Sequence, residues 1–180
     1  MKKILITGAN SYIGKNVENW LSKWPAQYVV ETIDMIDWTW RDKDLSQYDV
    51  IYHVAGIAHS ENGKISKEKE KLYRSVNTDL TLETAKKAAK EGVKQFIFMS
   101  SMIVYGNSAK FGKIKIITKD TEPEPNNAYS DSKWQAERGL KDFEKQMKIC
   151  ILRPPMIYGK GSKGNYPILA KIAQKLPVFP

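Results

Sequence analysis

Short apolar runs alternate along the chain with longer segments of helical periodicity. The apolar runs end in glycine or polar residues and lie at Lys3 to Thr7, Tyr28 to Asp34, Asp49 to Val54, Gln95 to Ser100 and Lys148 to Leu152. The helical patterns lie at Ile13 to Trp24, about Lys67 to Glu91, Ser130 to Met147 and Ile168 to Leu176. Buried parallel strands are near-continuous apolar runs, whereas helices repeat every 3.6 residues. The alternation predicts an α/β fold with a doubly wound parallel sheet and helices on both faces.

The intervals between these segments predict loops and one domain boundary. The stretch from Asp34 to Asp49 is too short for a full crossover helix and strand, so we expect a brief edge strand near Ile36 to Trp38. Pro123 to Asn127 form a loop before the next helix, since proline and asparagine favour turns. After residue 158 the sequence becomes glycine-rich and polar, and we place a domain boundary between 1–158 and 159–180.

The composition is that of one ordinary globular core. The chain has 180 residues, 42% hydrophobic and 11% aromatic, enough for one domain with a short appendage. No stretch approaches the roughly 20 apolar residues of a membrane helix, and we expect a cytoplasmic protein with no membrane partner. Cys150, the single cysteine, lies in an apolar run and is expected in the core. One cysteine cannot build a disulfide or zinc framework within a chain, and we expect no metal site.

The net charge of +9 raises the question of a nucleic-acid partner. The lysines are spread over several helical segments and alternate with glutamates, which is typical of solvated helix faces. Because no basic stripe with interleaved aromatic residues accompanies them, we expect no nucleic-acid binding. A weaker attraction for anionic ligands such as nucleotide sugars agrees with the charge.

The turn after the first predicted strand, TGANSYIG, has the spacing of a phosphate-binding turn. Gly8 and Gly14 occupy the first and last glycine positions, and Ser11 stands where a middle glycine is common. Glycine lets the backbone approach a pyrophosphate, and the following helix N-terminus offers free amides to it. The Ser11 hydroxyl could itself bond phosphate. The alternative is a tight strand-to-helix turn that binds nothing.

Asp34 ends the second predicted strand, about 20 residues after Gly14, where a carboxylate typically accepts hydrogen bonds from the adenosine ribose. A carboxylate there repels a 2′-phosphate, so the position favours NAD over NADP. The alternative is an aspartate that caps a turn, and the nearby Asp37 competes for the same role.

Tyr129 and Lys133 stand four residues apart at the start of a predicted helix, so both project from one face. An ammonium near a phenol favours the phenolate and lowers the pKa of the phenol, which makes tyrosine an acid and base near neutral pH. The pair follows FMSSMIVYG, which we place at the end of a fifth strand, counting the expected edge strand as the third.

Five motifs in order resemble those of the extended short-chain dehydrogenase/reductase family, which includes NAD-dependent epimerases and dehydratases. They are TGANSYIG, HVAGIAH after the fourth predicted strand, SSMIVYG, YSDSK and LRPPMIYG, and the resemblance covers residues 1 to about 160. It implies a Rossmann fold, NAD as cofactor and a nucleotide-sugar substrate. It also implies that residues 159–180 begin a substrate-binding domain that is mostly absent.

The resemblance assigns roles to individual residues. Ser101 would bond the reacting sugar hydroxyl, Tyr129 would transfer its proton, and Lys133 would hold the nicotinamide ribose and tune the tyrosine. Ser100 would pack or bond the backbone at the strand end. Pro155 would lie near the nicotinamide, and the implied cofactor-binding residues are Gly8, Asn10, Ser11, Tyr12, Ile13, Gly14, Asp34, Val54, Ala55, Gly56, Ala58, Asn77, Lys133 and Pro154.

Four positions depart from or qualify the family pattern. Family dehydratases carry an Asp-Glu pair where this chain has Met102 and Ile103, which cannot act as acid or base, so dehydration is not expected. Met156 stands where an asparagine often contacts substrate. Asn77 would organise the backbone near the active site, with packing in the helix interior as an equal alternative.

The resemblance implies an NAD-dependent nucleotide-sugar epimerase, which oxidises a sugar hydroxyl to a ketone and reduces it again on the other face. An NAD(P)-dependent reductase of the same family and a non-catalytic NAD-binding module are the alternatives. The family pairs two long helices into a four-helix contact, so a homodimer through Asn77 to Glu91 and Ser130 to Met147 is expected. We expect the 180-residue chain to bind NAD but to have little or no activity by itself.

Overall fold

The computed structural model describes residues 1–58, 65–107, 113–162 and 165–175. Its sheet contains five strands, β1 (Lys2–Thr7), β2 (Tyr28–Ile33), β3 (Val50–His53), β4 (Gln95–Met99) and β5 (Lys148–Leu152). Neighbouring strands are all parallel, in the order β2-β1-β3-β4-β5. The predicted doubly wound parallel sheet is confirmed.

Within the described ranges, five α-helices connect and flank the strands, and the helical patterns of the sequence are confirmed with shifted ends. They are α1 (Tyr12–Leu21), α2 (Lys67–Tyr73), α3 (Leu80–Lys90), α4 (Ala128–Leu140) and α5 (Asn165–Lys175). The predicted end of the last helix, Leu176, lies outside the described residues. The predicted helix to Met147 stops at Leu140, because a 3-10 turn and a bond from the Met147 amide to the Phe143 carbonyl (3.0 Å) return the chain to β5.

The long helical pattern from Lys67 to Glu91 is divided by a π-helical segment, Arg74–Asp79, between α2 and α3. The amide of Leu80 donates to the carbonyl of Ser75, five residues earlier, instead of four. The periodicity did not predict this segment, since one widened turn leaves the apolar spacing on either side intact.

The expected edge strand at Ile36 to Trp38 is wrong. The Asp34 carboxylate accepts a hydrogen bond from the amide of Ile36 at 2.9 Å, which bends the chain directly after β2. A 3-10 turn at Thr39–Arg41 follows. HVAGIAH and SSMIVYG therefore follow the third and fourth strands of the sheet, not the fourth and fifth.

Apolar side chains cover both faces of the sheet, because successive strand residues point to opposite sides. One face packs against α3 and α4 through Leu5, Ile51, Phe96, Phe98, Ala85, Ala136 and Leu140. The other face packs against α1 through Ile4, Ile6, Val50, Tyr52, Ile13 and Val17. Helices on both faces are thus confirmed.

Cys150 lies on β5 opposite Ile97 and is a free thiol. It is only half-buried, less than the sequence led us to expect, because β5 is the edge strand of the described sheet. No helix within the described ranges is both long and apolar enough to cross a bilayer.

Candidate active site

A cavity of about 360 Å³ opens where β1, β3, β4 and β5 end. The chain leaves β1 for β2 on one side and reaches β3 on the other, and open α/β sheets bind ligands at such a reversal. Ten predicted site residues line the cavity: Ser11, Tyr12, Ile13, Val54, Gly56, Ala58, Ser101, Tyr129, Lys133 and Pro154. The lining also includes Ile57, Met99, Ser100, Pro155, Met156 and Ile157.

The turn between β1 and α1 requires its two glycines for packing. Gly8 has a φ of +76°, and a Cβ atom there would lie 2.9 Å from the amide nitrogen of Ala55. A Cβ atom on Gly14 would lie 2.8 Å from the Ser11 hydroxyl oxygen. That oxygen accepts a hydrogen bond from the Gly14 amide at 3.0 Å and caps α1. Close packing of β1, β3 and α1 therefore explains the spacing of this turn before any ligand is considered.

The first turn of α1 also contacts the segment that follows β5. The Tyr12 hydroxyl donates to the carbonyl of Tyr158 at 3.3 Å, and a Cβ atom on Gly159 would lie 2.7 Å from the same hydroxyl. Asn10, just before the helix, has a φ of +69° and is exposed. The start of α1 thus joins the two sides of the cavity mouth, and its first amides have no partners within the helix.

Gly56 lets two polar side chains approach the cavity. A Cβ atom at Gly56 would lie 3.0 Å from Asn77 Oδ1 and 3.2 Å from Lys133 Nζ. The Asn77 side chain, itself fully buried, accepts from the amide of Ile57 (2.9 Å) and donates to its carbonyl (3.1 Å) and to the Ser132 hydroxyl (3.1 Å). Asn77 thus lies inside the helix and also fixes the backbone after β3, so both readings of this residue apply.

A buried chain of hydrogen bonds beneath the cavity was not foreseen. The Thr81 hydroxyl donates to the carbonyl of Asn77 at 2.8 Å, so its oxygen accepts from His53 Nε2 at 3.1 Å. His53 Nδ1 is then the acceptor for the Thr7 hydroxyl at 2.9 Å. Burial, with a smaller contribution from the Lys133 charge, lowers the pKa of His53 to about 3. A neutral ring with a defined tautomer therefore joins β1 to the start of α3.

Tyr129 lies against the cavity with its phenol largely buried. Burial raises the pKa of the phenol, a hydrogen bond with the Ser101 side chain opposes that change, and the neighbouring Tyr73 adds to it. The ring centroids of Tyr73 and Tyr129 are 5.7 Å apart. Ser101 and Tyr129 are thus brought together as the sequence predicted.

Lys133 is 5% exposed, and its ammonium donates to the carbonyl of Met99 at 3.0 Å. It also lies 4.7 Å from the centroid of the Phe98 ring. Burial lowers the pKa of Lys133 to about 8, against a raising effect of the Glu137 charge. The sequence argument expected the ammonium to lower the pKa of Tyr129, but here it is directed to the end of β4 and the pKa of the tyrosine is raised.

Ser101 and Ser100 have different partners at the end of β4. The Ser101 hydroxyl oxygen accepts from the amide of Ile103 at 3.3 Å and caps a 3-10 turn. Ser100 is buried, and its amide donates to the carbonyl of Leu152 at 2.8 Å. Its hydroxyl donates to the Glu137 carboxylate, a side-chain bond that sequence reasoning missed. A signal was present, since Glu137 lies one turn beyond Lys133 on the same face of α4.

Asp34 and Asp37 are exposed and do not line the cavity. The Asp34 carboxylate accepts a hydrogen bond from the amide of Ile36. In the same way, the Asp37 carboxylate accepts one from the amide of Thr39 at 3.1 Å. Both aspartates therefore cap turns, as the alternative reading allowed. Asp34 directly follows β2, the strand next to β1, and only its Oδ1 oxygen takes part in the turn bond.

The segment after β5 forms the far wall. The carbonyl of Pro154 accepts from the amide of Met102 at 3.1 Å, which ties the ends of β4 and β5 together. Met156 lines the cavity with 42% of its surface exposed. Within the described ranges no three His, Cys, Asp or Glu side chains come together as a metal site.

Comparison with known proteins agrees with this geometry. The profile of the NAD dependent epimerase/dehydratase family matches residues 4–177. UDP-glucose 4-epimerase of Vibrio cholerae is 32% identical over 192 residues, covering 97% of this chain and 57% of that protein. N-acetyl-alpha-D-glucosaminyl-diphospho-ditrans,octacis-undecaprenol 4-epimerase of Escherichia coli O157:H7 is 29% identical, covering 94% and 54%. The chain spans little more than half the length of these relatives.

Solved structures share the fold. UDP-glucuronic acid 4-epimerase from Bacillus cereus, in complex with NAD, superposes with a TM-score of 0.75 at 22% identity, covering 97% of this chain and 64% of that one. A dTDP-4-dehydrorhamnose reductase from Clostridium acetobutylicum gives 0.72 at 23% identity, covering 96% and 59%. Since one is an epimerase and the other a reductase, the fold alone does not choose between these activities.

Proposed function

The chain belongs to the NAD dependent epimerase/dehydratase family, and on that basis we propose that it binds NAD and catalyses the 4-epimerisation of a nucleotide sugar. The observation that carries this proposal is the convergence of Ser101, Tyr129 and Lys133 with the N-terminus of α1 on one cavity. The two relatives named above are both 4-epimerases, which supports that reaction over a reduction.

The residues around the cavity fit NAD. Because Gly56 has no side chain, Lys133 Nζ and Asn77 Oδ1 project into the space beside it. These polar groups can therefore reach a cofactor that lies against the backbone. The free amides at the start of α1 suit a pyrophosphate, and a carboxylate at the end of β2 suits the adenosine ribose. We propose that NAD is held by Gly8, Asn10, Ser11, Tyr12, Ile13, Gly14, Asp34, Val54, Ala55, Gly56, Ala58, Asn77, Lys133 and Pro154.

The chemistry divides between the cofactor and three side chains. When bound, NAD supplies the hydride acceptor and donor. The Tyr129 phenolate takes the proton from the sugar hydroxyl and later returns it, while the Ser101 hydroxyl donates a hydrogen bond to the sugar oxygen as charge develops on it. Burial raises the pKa of Tyr129. The Lys133 ammonium, which donates to the Met99 carbonyl in this structure, would favour the phenolate only on turning toward the Tyr129 hydroxyl.

Two titrations and one assay test the proposal. We expect calorimetry to show micromolar NAD binding and weaker NADP binding, because of the carboxylate of Asp34. We expect NMR to show slow conversion of a UDP-hexose into its C4 epimer with no accumulation of NADH. Stoichiometric NADH would instead favour a dehydrogenase, and failure to bind either dinucleotide contradicts the proposal.

We also propose that residues 159–180 begin the part of the protein that binds the sugar. The contacts of Tyr12 with Tyr158 and Gly159 support this, since they hold the start of that segment at the cavity mouth. Because the chain spans 57% of the Vibrio relative, we expect it to turn over more slowly than a chain of the relative's length. A turnover rate equal to that of the relative would contradict this division.

A homodimer through α3 and α4 is a further part of the proposal. Gly139 has no side chain, and a Cβ atom there would lie only 2.7 Å from the side chain of Leu82. The two helices therefore form one close-packed face. A groove beside them presents charges of both signs, which a twofold axis can pair with a second copy. The charged residues are Glu70, Lys71, Arg74, Asp79, Asp131, Arg138 and Asp142. We expect sedimentation to give a dimer that Arg138→Glu weakens, and a monomer at all concentrations would contradict it.

We place the protein in the cytoplasm. The free thiol of Cys150 supports this, because the chain has no second cysteine with which to form an internal disulfide in an oxidising compartment. Cell fractionation tests the location, and recovery of the protein outside the cytoplasmic fraction would contradict it.

A further inference from the structure

Glu137 is a buried carboxylate that the proposed chemistry does not use. It is 0% exposed and lies on α4 one turn after Lys133. Its oxygens accept from Arg153 Nε at 3.1 Å each, and Arg153 Nη2 and the Ser100 hydroxyl also donate to it. A buried charge with this many charge-assisted bonds is costly to leave unpaired, so the three side chains form one unit.

The partners of Glu137 come from the ends of two strands that form the site. Ser100 directly follows β4 and precedes Ser101, while Arg153 directly follows β5 and precedes Pro154. The Arg153 guanidinium is bonded as well to the Tyr105 hydroxyl, which anchors the 3-10 turn after β4. Each strand end is thus fixed to α4 at the residue next to one that lines the cavity.

Stability alone is a weak reason for such a pair. Removing two ions from water is costly, and apolar replacements of similar volume are often neutral or stabilising. The neighbours of Glu137 on the buried face of α4 are Ala136 and Leu140, so an apolar side chain would suit this position.

The geometry points to Glu137 as a positioning residue, which holds the ends of β4 and β5 against the face of α4 that carries Tyr129 and Lys133. The role rests on the proposed NAD-dependent chemistry, because the distances that it sets are those between the cofactor, the sugar and the catalytic side chains. Glu137 itself does not line the cavity and acts only through its partners.

The charge of Glu137 also reaches Lys133. Burial lowers the pKa of Lys133 to about 8, and the Glu137 carboxylate opposes that change. The other titratable groups that face this pair come from α4, β3 and the segments after β4 and β5, and they are Tyr129, His53, Tyr105 and Arg153.

Two variants separate positioning from stability. Glu137→Gln leaves Arg153 without its carboxylate, and we expect a lower thermal midpoint and NAD affinity reduced at least tenfold by calorimetry. Glu137→Gln combined with Arg153→Met removes both charges, and we expect the thermal midpoint to return close to that of the wild type while NAD affinity stays at least tenfold weaker. If the double variant binds NAD within twofold of the wild type, the pair is only structural and the proposal is overturned.

The exposed pair of Arg41 and Glu83 offers a matched control. Its carboxylate is also bonded by two guanidinium nitrogens but has 44% of its side chain exposed. We expect Glu83→Gln to change NAD affinity by less than twofold. An equal loss in this control would overturn the special role of Glu137.

A titration without cofactor keeps the test independent of the proposed function. If the wild type binds no NAD, the proposed function has failed, and the role of Glu137 is decided by NMR of lysine-labelled protein, with Lys133→Arg used to assign the Lys133 signal. We expect Lys133 to titrate at lower pH in Glu137→Gln than in the wild type, because the carboxylate charge that favours the ammonium is removed. An unchanged titration overturns the link between Glu137 and the catalytic face.

Discussion

The proposed catalytic end of the cavity and the proposed adenosine site beside it, at the end of β2, are held in place differently. Lys133 bonds to Met99 and Asn77 bonds to Ser132, contacts that join residues 34 and 55 positions apart and lie in the interior. Asp34, by contrast, is exposed and bonds to an amide two positions later. We therefore expect a substitution at the proposed catalytic end to change both stability and activity, and one at the proposed adenosine site to change binding alone.

The largest expected effect is at Tyr129. Tyr129→Phe removes the proton-transferring hydroxyl, and we expect epimerisation to fall by on the order of 10² to 10⁴-fold. NAD affinity should stay within about twofold, because the ring still fills its place beside Tyr73. Tyr158→Phe, at a residue that is 72% exposed, is the control and should keep its activity. Unchanged turnover in Tyr129→Phe would remove the proposed chemistry from this end of the cavity.

The next largest expected effect is that of His53, beneath the proposed catalytic end, on the pH dependence of stability. Burial lowers its pKa from 6.5 to about 3, so between these values the unfolded state binds a proton that the folded state does not. The contribution to stability is therefore constant above pH 6.5 and declines as the pH falls toward 3, by up to about 1.4 kcal/mol per pH unit.

Urea unfolding between pH 7 and pH 4.5 measures this decline. We expect His53→Gln to be less stable at pH 7, because it breaks the bonds to Thr7 and Thr81, but to lose stability less steeply with acid. Equal slopes in His53→Gln and the wild type would show that this ring does not carry the pH dependence.

Asp34 tests the proposed adenosine site. Bonds from ribose hydroxyls to a carboxylate contribute about 1.5 to 3 kcal/mol, so we expect Asp34→Ala to weaken NAD binding at least about tenfold. The free energy of unfolding should change by less than about 0.5 kcal/mol, as at other exposed positions. Asp37→Ala is the matched control, and a larger loss of NAD affinity there would transfer the ribose contact to Asp37.

The smallest effect is at Ser11, in the turn between these two regions. Ser11→Ala removes the cap of α1 and should lower the free energy of unfolding by about 1 kcal/mol, whereas Ser11→Gly should cost only a few tenths. Chemical denaturation measures both. If the two variants lose equal stability, the hydroxyl does not act as a cap, and equal losses of NAD affinity would assign it to the phosphate instead.

The same contrast explains what could be predicted from the sequence. The four-residue spacing of Tyr129 and Lys133 predicted that they share one helix face, because helical geometry depends only on residues close in sequence. The direction of the Lys133 ammonium could not be predicted, since its partner Met99 belongs to another strand. The edge strand near Ile36 was wrong because a side-chain bond from Asp34 competes with strand pairing. The choice of Asp34 over Asp37 stays a prediction, since each aspartate caps a similar turn.

The π-helical segment Arg74–Asp79 makes the chain tolerant of a one-residue deletion at this point. A π turn holds one residue more than an α turn, so removing a single residue from this segment would leave a regular helix from Lys67 to Lys90. A deletion inside a regular helix normally rotates and shifts all the helical residues on one side of the deletion relative to the rest of the fold. Here the deletion would spare the helix and rotate Asn77 away from Ile57 and Ser132, so homologous chains that differ in length by one residue at this point should differ at the cavity while keeping the same fold.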